Sequence, residues 1–154
     1  MASILPLVFH PDPRLRQRST EISAEEITAL KDLVADMELT MEADKGIGLA
    51  APQIGKNIRL IIVSTKSGAQ AMVNPELTKK SLRQEWGEEG CLSIPHVFGD
   101  VKRYRGVECT FLDLDGQQQT CKASGLLARV IQHEIDHLDG ILFIDKARDI
   151  REEE

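Results

Sequence analysis

The feature of this sequence that most limits its fold is a segment near its end, 125–138, that is apolar on more than one side. Wound as a helix at about 100° per residue, the segment divides its apolar and half-apolar residues into two groups. One group is Leu127, Ile131, Ile135 and Leu138, and the other is Leu126, Val130, His133 and His137. A helix of this kind should run through the core of the protein.

The same segment carries the pattern His133-Glu134-Ile135-Asp136-His137. Two histidines four residues apart lie one turn above each other on a helix, so both imidazoles can bind one metal ion. Glu134 projects beside them, where it can take a proton from water at the metal. The pattern is typical of hydrolytic metal sites. The alternative, two core histidines without a ligand, would bury two imidazoles and a carboxylate without partners.

A catalytic metal site of this kind needs a third protein ligand and an open position for water. One group of proteases continues the motif to a further histidine, but Phe143 occupies that position here. A second group uses a downstream glutamate. Only Glu152, Glu153 and Glu154 follow the motif, in a terminal charge run that should be solvated.

Cys91 is the remaining candidate for the third ligand. It lies in a segment bounded by Gly90 and Pro95, and a thiolate is a good ligand for zinc or ferrous iron. A lone cysteine is more often a small buried hydrophobic residue. The missing third ligand nevertheless favours Cys91 over Cys109 and Cys121.

The rest of the sequence predicts one more helix and several strands. Ser23 and Glu26 have the spacing of a capping box, and the apolar periodicity that follows predicts an N-terminal helix over roughly 24–43. The glycines and proline of 46–55 predict a shaped loop. An apolar run predicts a buried strand at 59–63, and a further strand is expected at 70–74, ending before a proline.

A hairpin is expected between Gly106 and Lys122. Asp115-Gly116 predicts a two-residue turn, which places Lys122 opposite Cys109 and Thr110 opposite Cys121. The two thiols would then point to opposite faces of the sheet, unless a bulge shifts the register. Because the chain has three cysteines, an odd number, we expect unpaired thiols.

The composition is that of one globular domain. With 154 residues, 42% hydrophobic and 29% charged, the chain can bury one core but not two ordinary ones. We assign 1–147 to a single catalytic domain and 148–154 to a short acidic tail. The net charge of −6 argues against direct nucleic-acid binding. The sequence lacks the apolar run of a membrane span, and its amino terminus predicts a cytoplasmic protein.

Three segments resemble, in the same order, the signature motifs of the peptide deformylases: GIGLAAPQ at 46–53, EGCLS at 89–93 and QHEIDHL at 132–138. The resemblance covers nearly the whole chain. It implies an α+β fold in which small antiparallel β-sheets surround the metal-binding helix. It also implies that Cys91, His133 and His137 hold one divalent metal ion, usually Fe²⁺, with Zn²⁺, Ni²⁺ or Co²⁺ as alternatives.

The resemblance further implies a reaction, the removal of the formyl group from the N-terminal methionine of newly made polypeptides, with release of formate. Metal-bound water would attack the formyl carbon, with Glu134 as general base and then acid. The Gln53 amide and the Leu92 backbone N–H match the family's oxyanion-stabilising positions. Five residues are expected to line or border an apolar methionine slot, although core packing is an equal alternative for the last two: Ile47, Gly48, Glu89, Leu126 and Val130.

Two residues depart from the family's pattern and leave open how the peptide beyond methionine is held. His96 and Phe98 stand where many relatives have a small or polar residue and a basic residue that binds the substrate backbone. His96 is expected at the rim of the pocket. Arg129 is expected to pair with Asp136 or, as the alternative, to contact substrate.

The expected partners are N-formyl-methionyl nascent polypeptides. A transient contact with the ribosome would have to form without the basic carboxy-terminal extension that some relatives use, since this chain ends in acidic residues. Two other hypotheses are a metalloprotease and a non-catalytic module with a structural metal. The second needs a fourth protein ligand, for which His96 is the obvious candidate.

Overall fold

Three α-helices and eight strands make up the fold, which a computed structural model describes over residues 1–153. The helices are α1 (Ala24–Ile27), α2 (Lys31–Ala43) and α3 (Gly125–Leu138). The strands are β1 (Gly48–Ala50), β2 (Leu60–Thr65), β3 (Gly68–Lys80), β4 (Gln84–Cys91), β5 (Ile94–Tyr104), β6 (Gly106–Leu112), β7 (Gln118–Ser124) and β8 (Arg148–Glu152). The fold belongs to the expected α+β class.

Two antiparallel sheets surround α3. The larger sheet has the order β1-β2-β3-β6-β7, and the smaller has β5 between β4 and β8. One side of α3 packs its apolar residues, Ile131 and Leu138 among them, against the larger sheet. Another side meets the smaller sheet through polar contacts, since Gln132 exchanges hydrogen bonds of 3.0 and 2.9 Å with the backbone of Tyr104. The prediction of a central helix is confirmed.

Strand β2 is buried on both faces because helices cover both sides of the larger sheet. Ile61 and Val63 belong to the core that contains α3. Leu60 and Ile62, which point the other way along the strand, belong to a second core with α2. The continuous apolar run at 59–63 therefore forms the buried strand that was predicted.

The predicted N-terminal helix has the expected bounds, Ala24 and Ala43, but is broken into α1 and α2. The Ser23 N–H donates to Glu26 Oε1 (3.2 Å), as the capping spacing predicts. The chain then leaves α1 through Thr28, whose hydroxyl donates to the Glu25 carbonyl (3.2 Å), and α2 begins at Lys31. Such local side-chain bonds compete with helix formation, so the single helix over 24–43 was wrong in its continuity.

Two predicted strand and loop boundaries also differ from the structure. Strand β3 continues past Pro75 because the register shifts between Val73 and Glu76. A bulge accommodates a proline, which has no N–H to donate. Within the predicted loop 46–55, the chain forms β1 and then a 3₁₀ turn at Ala51–Ile54.

The hairpin of β6 and β7 has a longer loop than the predicted two-residue turn. Leu112 pairs with Gln118, and Cys109 therefore lies directly opposite Cys121. The Asp113 side chain sets this loop by accepting hydrogen bonds of 2.9 Å from the N–H groups of Asp115 and Gln117. The thiols share a face, contrary to prediction, and they are free, as expected. Burial raises the pKa of the Cys109 thiol to about 12.

The segment interpreted as an acidic tail is largely strand β8. Its residues pair with β5, with Phe98 opposite Arg151 and Asp100 opposite Arg148. The segment carries two arginines as well as glutamates, and Arg151 forms an ion pair with Glu88 of β4. The smaller sheet therefore includes residues that we expected to be solvated, and only Glu154 lies outside the described residues.

None of the helices within residues 1–153 is long and apolar enough to cross a membrane.

The end of α3 yields a prediction about stability. Gly140 adopts a positive φ of 73°, and an added Cβ would lie 2.5 Å from the Arg16 carbonyl oxygen. Gly116 has a similar φ of 79° but open space around it. Gly116→Ala should lower the free energy of unfolding by about 1 kcal/mol through backbone strain alone. Gly140→Ala should lower it by about 1–3 kcal/mol more through the clash. Urea unfolding followed by circular dichroism measures both, and equal losses would contradict the packing described.

Candidate metal centre

Three ligand groups meet at the point where α3 passes the end of β4. The sulfur of Cys91 and one ring nitrogen each of His133 and His137 all lie within 4.8 Å of one another. Cys91 Sγ and His137 Nε2 are 3.3 Å apart. A thiolate and two imidazoles are a donor set suited to zinc, ferrous iron and similar divalent ions. These residues, distant in sequence, form a group that can bind a metal.

The helix and the strand position these ligands for different reasons. His133 and His137 are one turn apart on α3, and their ring centroids are 5.1 Å apart. Cys91 is the last residue of β4, next to a shift in register between Gly90 and Cys91. Phe143, which takes the place of a third histidine in the protease pattern, stacks on His133 with 6.1 Å between ring centroids.

Glu134 lies beside the ligands with one oxygen unpaired. It is buried, and its Oε1 has no hydrogen-bond partner within residues 1–153. Burial raises the pKa of its carboxyl group to about 7. Gly48 leaves the space that this carboxylate occupies, because a Cβ there would lie 2.5 Å from Glu134 Oε2. An unpaired buried carboxylate is the arrangement that a proton-transfer residue requires.

The amide of Gln53 is held in one orientation. Its Oε1 accepts a hydrogen bond from the Ala50 N–H (2.9 Å), and its Nε2 donates to Ser93 Oγ (3.1 Å) and to Cys91 Sγ (3.4 Å). Leu92 follows Cys91 in the turn between β4 and β5 and lines the same cavity. Both residues with a predicted oxyanion role therefore lie beside the ligand group.

A cavity of about 750 Å³ opens at this centre. Ile47 and Leu126, 47% and 66% exposed, lie at its mouth, whereas Val130 is buried. His96 and Phe98 also contribute to the wall. All the residues predicted to form the methionine slot line this cavity: Ile47, Gly48, Glu89, Leu126 and Val130.

Glu89 lines the cavity, but its carboxylate is directed to the protein interior. It accepts hydrogen bonds from His133 Nδ1 (2.8 Å), from Arg129 (2.8 Å) and twice from Arg103 (both 2.9 Å). Burial alone would raise the pKa of Glu89, but the hydrogen bonds from Arg103 and His133 hold that pKa well below its usual range. The carboxylate therefore orients a metal-ligand ring, a contact that we had not predicted.

Two arginines near the site differ from expectation. Arg129 pairs with Glu89, and also donates to the Val101 carbonyl (2.8 Å), instead of pairing with Asp136. Asp136 instead pairs with Arg103 and Lys146. Arg103 was not identified from the sequence. It is an arginine at a buried position of β5, and a buried arginine needs a partner for its charge.

Comparisons with known proteins agree with this geometry. The model of the family described as polypeptide deformylase matches residues 4–153. A peptide deformylase of Thermomicrobium roseum is 44% identical over 156 residues, which cover 96% of this chain and 88% of that protein.

Two crystal structures of peptide deformylases resemble the structure closely. One, from Synechococcus elongatus in complex with actinonin, has a TM-score of 0.89 at 41% identity and covers 94% of this chain and 79% of that one. The other, a class I type b enzyme from Acinetobacter baumannii with Met-Ala-Ser bound, has a TM-score of 0.90 at 36% identity, covering 95% and 99%.

The ligand group yields a prediction about metal binding. Cys91→Ser should weaken Co²⁺ binding by more than the roughly 10- to 100-fold typical for the loss of a residue that only supports a ligand, and should remove the thiolate-to-cobalt absorption. Cys121→Ser, which changes a thiol outside the cavity, is the matched control and should bind as the wild type does. Equal affinity of the two variants for Co²⁺ would rule out Cys91 as a ligand.

Proposed function

The chain belongs to the polypeptide deformylase family, and from this premise we propose that it removes the formyl group from the N-terminal methionine of nascent polypeptides, releasing formate. One observation carries the proposal. Cys91, His133 and His137 meet at the edge of a cavity that Cys91 and His133 line, beside the carboxylate of Glu134. The A. baumannii relative was crystallised with a peptide that begins with methionine, which is the kind of product that this reaction leaves.

Cys91, His133 and His137 would hold one divalent ion, which we propose to be Fe²⁺, with Zn²⁺, Ni²⁺ or Co²⁺ able to replace it. When bound, such an ion supplies Lewis acidity, which polarises a carbonyl group and makes water acidic enough to lose a proton near neutral pH. Three protein ligands leave a coordination position for water or substrate.

Glu134 moves the protons. Its carboxylate takes a proton from the attacking water, and it later gives that proton to the amine nitrogen as the carbon–nitrogen bond of the formamide breaks. Oxygen from water ends in formate, and the proton ends on the methionine amino group. Oε1 of this carboxylate has no hydrogen-bond partner within residues 1–153. No hydrogen bond to Oε1 therefore has to break before this step.

Gln53 and Leu92 would stabilise the negative charge that develops on the formyl oxygen. The Ala50 N–H holds Gln53 Oε1, and Ser93 accepts from Nε2. The remaining N–H of that amide, which contacts Cys91 Sγ, is the one directed to the ligand group. The backbone N–H of Leu92 would be the second donor.

Specificity would follow from the shape of the cavity. Gly48, Val130 and Glu134 are packed so closely that a Cβ on Gly48 would overlap both side chains, which leaves room for the hydrogen of a formyl group and excludes larger acyl groups. Ile47, Leu126 and Val130 offer the apolar surface that a methionine side chain fits. Glu89 would border this slot while supporting His133.

The proposed reaction takes place in the cytoplasm, where polypeptides are made. We propose that 1–147 contain the catalytic machinery, with 148–152 completing the smaller sheet. Contact with the ribosome would be transient.

The central test of this function is Glu134→Gln. The variant should lose about 100-fold or more of the rate of formate release from a formyl-methionyl peptide, because the amide cannot accept the proton of water. Its metal content should stay unchanged. Asp115→Asn, which alters an exposed acidic residue in the loop between β6 and β7, away from the cavity, should retain wild-type activity. Appreciable formate release by Glu134→Gln would remove Glu134 from this role.

The packing around Gly48 gives a second test. Gly48→Ala should lower kcat/KM by roughly 10- to 100-fold, because the added methyl displaces the Glu134 carboxylate by an ångström or so. Metal affinity should be unchanged. Gly106→Ala, whose Cβ would make only an ordinary contact at 3.6 Å, is the control. A Gly48→Ala enzyme that is as fast as this control would show that the space is not needed.

A further inference from the structure

Arg103 is the most deeply buried arginine near the cavity, although it does not line it. Arg103 lies on β5 and is only 4% exposed. Its guanidinium donates through Nε and one terminal nitrogen to both oxygens of Glu89, each at 2.9 Å. The other terminal nitrogen donates to Asp136 at 2.5 Å. All three nitrogens of the planar group are therefore used, in two directions.

These bonds close a ring of contacts around the metal-ligand group. Glu89 Oε1 also accepts from His133 Nδ1 (2.8 Å). Asp136 lies on α3 three residues after His133 and directly before His137, while Glu89 lies on β4 two residues before Cys91. Arg103 thus connects the helix that carries two ligands with the strand that carries the third.

We propose that Arg103 is a positioning residue of the metal centre, acting through Glu89 on the ring of His133 and through Asp136 on the distance between α3 and β4. This inference rests on the proposed function, since it assumes that Cys91, His133 and His137 hold a metal. Ring nitrogens of metal-bound histidines are commonly fixed by a carboxylate, and the loss of such support weakens metal binding.

The geometry explains why an arginine stands at this position. The guanidinium is a rigid fork that can hold a carboxylate through two parallel hydrogen bonds and still reach a second acceptor. A lysine carries the same charge as a single point and holds one carboxylate at a time. Without the fork, Glu89 would keep Arg129 and His133 and Asp136 would keep Lys146, but no single group would hold the two carboxylates at a fixed separation.

Arg129 also binds Glu89, but its position is different. Arg129 lies on α3 itself and also bonds the backbone carbonyls of Glu85 and Val101 in the smaller sheet, so it ties the helix to that sheet without contacting Asp136. Arg103 alone, within residues 1–153, is bonded to both Glu89 and Asp136.

The proposal is tested by a double-mutant cycle on the affinity for Co²⁺, measured by competition with a chromophoric chelator. Arg103→Lys should weaken binding by about 10-fold, and Glu89→Gln by about 10- to 100-fold. The double variant should bind about 3-fold more weakly than Glu89→Gln alone, because only the part of the effect that Arg103 exerts through Asp136 is then left to lose. The product of the two single losses, or wild-type affinity in Arg103→Lys, would overturn the proposal.

Arg59→Lys is the matched control, because Arg59 is also buried and also pairs with an acidic residue at the end of α3, Asp139 (3.0 Å). It should lower stability without changing Co²⁺ affinity. The visible spectrum of bound Co²⁺, which reports ligand geometry, should shift in Arg103→Lys and not in Arg59→Lys. Identical spectra in all three proteins would show that Arg103 serves stability alone.

A second variant and the behaviour of the wild type separate the possible outcomes. If Arg103→Lys does not fold, Asp136→Asn releases one arm of the same guanidinium, and it should weaken Co²⁺ binding several-fold; unchanged affinity would count against the proposal. A wild-type protein that binds no Co²⁺ through Cys91 would contradict the proposed function itself. Normal binding by the wild type and by Arg103→Lys would contradict only the role of Arg103.

Discussion

Helix α3 is buried between two sheets, and this burial constrains the rest of the structure. The helix must present apolar side chains to the larger sheet on one side and polar side chains on another. Ile131 and Leu138 pack on the larger sheet, while Gln132 bonds to the backbone of the smaller one. The ligand histidines lie between these contacts. Their separation from Cys91 is set by how the smaller sheet is held against the helix, so packing and chemistry cannot be changed independently.

Burying so many ionisable groups in one place requires compensation, and the structure provides it unevenly. Glu89 and Asp136 share the guanidinium of Arg103, whose hydrogen bonds offset the cost of burying these groups. Glu134 receives no such partner, and burial raises the pKa of its carboxyl group. His137 Nδ1 is also without a partner within residues 1–153. Glu89 and Asp136 are thus satisfied, while the carboxylate proposed to exchange protons is left without such a partner.

Local patterns in the sequence predicted the parts of the fold that depend on local spacing. The helix period predicted α3 correctly, and the histidine spacing put His133 and His137 on the face where they approach Cys91. Three features were not predicted. The side-chain bonds of Asp113 lengthen the hairpin loop. The pairing of the charged C-terminal residues with β5 and the role of Arg103 depend on partners that are distant in sequence. Cys91 could be proposed by elimination, but only folding brings its sulfur to the histidines.

The central claim is that Cys91, His133 and His137 hold one catalytic ion with a coordination position open to water. Anomalous diffraction at the iron absorption edge, from crystals of protein purified without oxygen, tests it most directly. We expect one strong peak within bonding distance of Cys91 Sγ and one ring nitrogen of each histidine, with no further protein ligand. A peak elsewhere, or a fourth protein ligand such as His96 closing the site, would contradict it.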